Sequence, residues 1–229
     1  MSLFETQTVE CPACGGRVPF SLVFSVNVDR KPVLRDQILD ETFQREDCPG
    51  CQHGFRIEPE LTYLDVGRGI WIGCWQSGRL SSWQTWAQQA QNSFDAAFGT
   101  GGPAEARAIG DGLTVRVTFG WSALREKIIA LESSIDDVAL ELAKATIIRQ
   151  EGGAPPANAD LRLLAADDDA LVFAWVDRER GLRTGEFAVD RALLDGIEQA
   201  GAAYDALRAD VDGGIHVDLQ RALLAPAAR

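Results

Sequence analysis

The sequence predicts an α+β protein with a β-rich N-terminal region into which a helix is inserted, then a helical segment, then a small C-terminal α+β module. Three observations carry this. Two C-x-x-C turns bracket a strand and a helix between residues 11 and 51. Helical spacing of apolar residues runs from Ser122 to Ile148, and beyond residue 159 three alternating segments precede one more helical pattern.

The first turn is Cys11-Pro12-Ala13-Cys14-Gly15 and the second Cys48-Pro49-Gly50-Cys51. Pro sets φ for a tight turn, and Gly15 supplies the positive φ that closes it. Two such turns offer four thiolates to one point, the donor set of a tetrahedral structural zinc ion. Two disulfides, a redox pair or buried apolar thiols are the other readings. The duplication argues against a redox pair, and disulfide scaffolds belong to short secreted chains. Cys11, Cys14, Cys48 and Cys51 are thus expected to hold one Zn2+, in a closed site without catalytic chemistry. A plain ribbon separates its turns by roughly 15–20 residues. Here the gap is 33 residues, which makes the region zinc-ribbon-like with an insertion.

That insertion reads as a strand over Val18 to Val28 and a helix that starts at Pro32, buries Leu34, Ile38 and Leu39 and ends near Phe43. Phe55 to Ile57 leaves the second turn as a strand. In the extended stretch Tyr63 to Trp75, Trp71, Gly73 and Trp75 share one face and Ile70, Ile72 and Cys74 the other. Cys74 reads as a small buried hydrophobe. Ser81 and Gln84 form a capping-box pattern for a helix that reaches Phe98 and stops at 99–103. The four Trp between 71 and 86 read as core, with a binding surface as the alternative. Leu113 to Phe119 alternates as a strand. Two helical segments follow, with Ser134 and Asp137 as a second capping-box pattern.

Glu151 to Asn158 reads as a linker. It divides the chain into a domain at 1–150 and a module at 159–229, which holds three strands (161–165, 170–176, 185–189) and a helix from about 190 to 209. Asp167 to Asp169 reads as a solvated turn, since it lacks the spacing of a calcium loop. The last apolar run, GIHVDL, reads as a strand carrying His216.

Within residues 10 to 65, the two Cys-Pro-x-Cys turns, Val26-Asn27-Val28-Asp29, the helix Leu34 to Leu39 and Tyr63-Leu64-Asp65 resemble the bacterial CpXC family. Leu124 to Lys127, Asp136-Asp137 and Glu141 to Lys144 are similar to that family's helical end, so the resemblance spans about residues 1 to 150. It implies a zinc-ribbon-like fold with Cys11, Cys14, Cys48 and Cys51 as metal ligands, and no settled activity. Gln52 departs from the Gly expected there. Gln is disfavoured at positive φ, so a displaced turn is expected, with Gly54 taking up the difference.

Net charge is −12, from 34 acidic and 22 basic residues. Both halves are acidic, and Arg30-Lys31 is the only adjacent basic pair. This opposes nucleic-acid binding and favours a protein partner with a basic patch. No presequence and no apolar run long enough for a membrane is read, so a cytoplasmic location is expected. Only His53 and His216 supply imidazoles, and no known catalytic motif occurs. The expected function is a non-catalytic zinc-binding protein acting as an interaction or adaptor module. The alternatives are a nucleic-acid-binding zinc ribbon and an enzyme with its site near Tyr63 and Asp65.

Overall fold

The computed structural model describes residues 3–150, 152, 155–156, 158–178 and 180–224. The expected linker at 151–158 lies in part outside the described residues. A five-stranded sheet has the order β1-β2-β5-β6-β7, made by Leu3–Glu10, Arg17–Asn27, Leu61–Asp65, Ile70–Trp75 and Thr114–Phe119. The pairs β1–β2 and β5–β6 are antiparallel hairpins, whereas β2–β5 and β6–β7 are parallel and need crossovers. Helix α1 (Pro32–Leu39) and a two-stranded ribbon, β3 (Arg45–Asp47) with β4 (Gly54–Arg56), fill the first crossover. Helices α2 (Trp83–Phe98) and α3 (Ala104–Gly110) fill the second.

The face assignment for β6 follows the alternation. Ile70, Ile72 and Cys74 join Val26 and Tyr63 in a core closed by Leu34 and Ile38 of α1 and by Leu124 and Ile128 of α4 (Trp121–Glu132). Trp71 instead packs under α2 with Ala90, Phe94, Val117 and Phe119. A Cβ at Gly73 would meet the Ala90 methyl at 3.0 Å, so glycine lets α2 lie close on the sheet. Trp71 is buried, while Trp75, Trp83 and Trp86 are half-buried against that cluster.

A second, antiparallel sheet has the order β10-β9-β8, from Arg183–Asp190, Ala170–Asp177 and Ala159–Ala166. It packs on the α4–α5 hairpin, α5 being Asp137–Gln150. Ile129, Ala130, Leu140 and Ile147 share one core with Leu161, Leu163, Leu171 and Phe173. The hairpin therefore stands between the two sheets, and this core crosses the boundary expected at 151–158.

Several local expectations are corrected. Residues 3–10, read only as lacking a presequence, form the edge strand β1. Residues 77–82 are a 3-10 turn and α2 begins at Trp83 without a side-chain cap, because Ser82 Oγ donates back to Arg79 O. Ser134 does not cap α5; it sits at φ 54° in the turn, and Asp136 Oδ1 accepts from Ala139 N as the cap. The long C-terminal helix breaks at Gly201 (φ 44°) into α6 (Ala192–Ala200) and α7 (Asp205–Val211), joined by a 3-10 turn. Residues 215–218 form no strand. They run along β7, where Ile215 O accepts from Val117 N, and lead into α8 (Leu219–Leu224). Asp167 is the expected turn residue, its carboxylate accepting from the backbone of Asp169 and Ala170.

Candidate metal centre and the charged interior

Each C-x-x-C turn is the tip of a β-hairpin. Glu10 pairs with Arg17 across β1–β2, and Asp47 with Gly54 across β3–β4, so residues 11–16 and 48–53 form two equivalent loops. In the first, Gly15 N donates to Cys11 O (2.9 Å) and Cys11 N to Gly16 O (2.8 Å). In the second, Gln52 N donates to Cys48 O (2.8 Å) and Cys48 N to His53 O (3.0 Å). Gln52 thus takes the place of Gly15, at φ 60° against 71°. The expected displacement toward Gly54 does not occur. Fixed hydrogen bonds on both sides hold Gln52 left-handed, at a cost of about 1 kcal/mol.

The four Sγ atoms lie within 4.8 Å of one another. Cys11 and Cys51 are 3.7 Å apart, as are Cys14 and Cys48. Four sulfurs at ~2.3 Å from a tetrahedral metal would be separated by about 3.8 Å. The donor set therefore fits a single metal ion. Gly16 N donates to Cys14 Sγ (3.4 Å), and hydrogen bonds from Cys51 and Gly50 bring the Cys48 thiol down to about 7, favouring the thiolate. Cys11, Cys48 and Val18 pack with Val9 and Phe55, which anchors the centre on both hairpins. Four protein ligands leave no open position, so such an ion holds structure. All five cysteines are free, and burial pushes the Cys74 thiol up to about 12. His53 is exposed, and its carbonyl rather than its ring serves the turn.

Tyr63 and Asp65 point inward from β5 as their spacing predicts, and both have structural surroundings. Tyr63 is fully buried, with no hydrogen-bond partner for its hydroxyl among the described residues, and burial raises its pKa. Asp65 accepts from Arg68 N (2.9 Å) and pairs with its guanidinium (3.3 Å), closing the β5–β6 turn.

Sequence reading missed a charged interior between α4, α5 and β8. Glu126 Oε1 accepts from Lys144 Nζ and Arg162 Nη1, each at 2.9 Å, and its Oε2 accepts from Leu163 N at 2.7 Å. Glu141 Oε2 is 2.7 Å from Lys144 Nζ and accepts from Leu219 N at 2.8 Å. Arg162 also binds Asp218 (2.7 Å) and Asp160 (2.9 Å). Burial pushes Glu141 up to about 7, since Asp218 and Glu126 add to it and Lys144 only partly offsets them. At the margin of this network, Asp137 bonds Arg116 and Lys127 and is held down at about 2 despite its burial. His216 is 1% exposed between the rings of Trp83 and Phe119, and burial depresses it to about 4. The available signal was Glu126-Lys127 and Glu141-x-x-Lys144 falling beside the apolar positions Leu124, Ile128, Leu140 and Leu142.

The protein is thus a mixed α+β chain whose two hairpin tips bring four cysteines together in a metal-binding arrangement. The family model described as CpXC protein matches residues 9–144, well over half the length, and the chain belongs to the CpXC family. The match ends at Lys144, before Asp160, Arg162 and Asp218. No curated protein and no solved structure matches the chain.

Proposed function

We propose that the chain is a non-catalytic, cytoplasmic binding protein, stapled by one structural zinc ion on Cys11, Cys14, Cys48 and Cys51, and that it engages another protein bearing a basic surface. The placement of charge carries this reading. Buried Glu126, Glu141 and Asp218 pair with buried Lys144 and Arg162, whereas Asp195 and Glu198 of α6, Asp205 and Asp210 of α7 and the adjoining Asp212 are exposed with no ion pair among the described residues. Such a face complements a basic patch and steers its approach. Free cysteines fit a reducing compartment. Among the described residues no helix is long and apolar enough to cross a membrane.

Elemental analysis of purified protein should return about one zinc per chain. Iron in its place, or two disulfides without metal, would overturn the zinc reading. Cross-linked capture from the native cell should yield a protein that is lost with D195N/E198Q/D205N/D210N. Equal capture by that variant would overturn the partner reading.

A further inference from the structure

A cleft of about 830 Å³ opens beside the second cysteine turn, between the β3–β4 ribbon, the start of α4 and the β9–β10 hairpin. Arg45, Arg56 and Arg125 line it from one side and Arg178, Arg180 and Arg183 from the other, with Arg162 at its floor. Among the described residues, Glu41, Glu58 and Asp177 are the acidic ones that line it. This arginine-rich pocket stands in a chain of net charge −12, and its members are too scattered in sequence to appear as a basic run. Arg30-Lys31, the only adjacent basic pair, gives no sign of it.

Arg162 and Arg178 are neutralised from behind by Asp160, and Arg162 also by Glu126 and Asp218. The others are not. Arg45 and Arg180 are exposed and make no ion pair among the described residues. Arg56 stands over the Trp121 ring with its guanidinium carbon 4.0 Å from the ring centre, its Nε donating to Phe43 O (2.8 Å), with no carboxylate in ion-pair contact among the described residues. Trp121 is in turn locked by its Nε1 donating to Ile57 O (2.8 Å). Burial lowers Arg56 to about 10, an expense that a nearby negative charge would offset. Glu41, held at φ 66°, bonds Arg183 and stands 3.7 Å from Arg125. A carboxylate of the chain itself thus already occupies one position between two guanidinium groups.

We infer that this cleft binds a small polyanion, a molecule carrying two or more phosphate or carboxylate groups. Fixed guanidinium planes offer paired donors matched to such oxyanions. The volume falls in the range of small-molecule sites, ~300–1,000 Å³. Size also selects against a nucleic acid. Electrostatic reach is about 8 Å at physiological ionic strength, so a small anion feels the arginines, while a long strand would run onto the acidic remainder. The site is separate from the acidic α6–α7 face, and its test does not depend on a protein partner.

The test is calorimetric titration of the full, metal-loaded chain with pyrophosphate, with citrate and with a 20-nucleotide single strand, at low and physiological salt. Saturable one-site binding of pyrophosphate assigns phosphate, and of citrate assigns carboxylate; either supports the inference. R45Q/R180Q changes two exposed side chains that have no ion pair among the described residues, and should weaken that binding about tenfold or more. E41Q removes the competing carboxylate and should strengthen it severalfold. Failure of both small anions to bind, affinity unchanged by R45Q/R180Q, or tighter binding of the oligonucleotide would each overturn it.

Discussion

Replacing Lys144 with Met keeps the length and apolar stem of the side chain and deletes one charge from the interior. Lys144 is 2% exposed, with Nζ at 2.9 Å from Glu126 and 2.7 Å from Glu141. At an effective dielectric of ~20, Coulomb's law gives about 6 kcal/mol of attraction for each contact. Desolvation cancels much of that, and Glu126 keeps Arg162 and Leu163 N, but Glu141 is left buried with Leu219 N alone in hydrogen-bond contact and must take up a proton to stay there. The expected loss is about 3–5 kcal/mol, or a fall in Tm of roughly 6–20 °C for a chain of this size. Urea unfolding at pH 7, followed by tryptophan fluorescence, measures it. The partner change E141Q keeps an amide oxygen for Leu219 N, and by itself should cost under about 1 kcal/mol, because burial already pushes the Glu141 carboxyl toward its neutral form. In the double variant the charge is balanced again, so K144M/E141Q should be more stable than K144M. A loss below about 1 kcal/mol for K144M, or a double variant weaker than K144M, would refute the claim that these groups form one neutralised unit.

Three other outcomes follow from geometry. Q52G relieves the left-handed strain in the second knuckle and should stabilise the metal-loaded protein by about 1 kcal/mol in urea; G15A should do the reverse. His216, at about 4 when folded against 6.5 unfolded, withdraws stability as pH falls from 6.5 to 4, while Glu141, at about 7 against 4.5, adds stability as pH falls from 7 to 4.5. The two nearly cancel in the wild type, so E141Q should lose up to about 3 kcal/mol between pH 6.5 and 4.5, and parallel profiles for the two proteins would contradict this. Truncation after Gln150 strips the second sheet from Ile129, Ala130, Leu140 and Ile147; residues 1–150 should then lack cooperative thermal unfolding even with zinc present.

The cysteine centre was legible because its information is local: C-x-x-C fixes a turn, and two turns fix a ligand set. Strand faces were legible for the same reason, as in the alternation from Ile70 to Trp75. What escaped depends on distant pairing. β1 is a polar edge strand whose identity comes from its partner. The charges at Glu126, Lys127, Glu141 and Lys144 look like surface positions until β8 and the segment 216–220 arrive to cover them. Arg45, Arg125 and Arg180 are unremarkable singly, and only the approach of the β9–β10 hairpin to the ribbon gathers them. Gln52 shows the opposite failure, where a sound local preference was overruled by the hydrogen bonds around it.

The two knuckles also bear on the order in which the chain assembles. β2 and β5 pair in parallel, so their register waits until α1 and the β3–β4 ribbon have looped back. Long-range parallel pairing is slow, since the loop entropy is spent before any contact repays it. A metal ion caught first by Cys11 and Cys14 and then by Cys48 and Cys51 closes that loop at its outer end, and leaves β2 and β5 a much smaller volume to search. Metal supply during synthesis would then govern the rate and yield of folding as well as the final stability, and chain made without it would linger with the edges of β2 and β5 open to self-association.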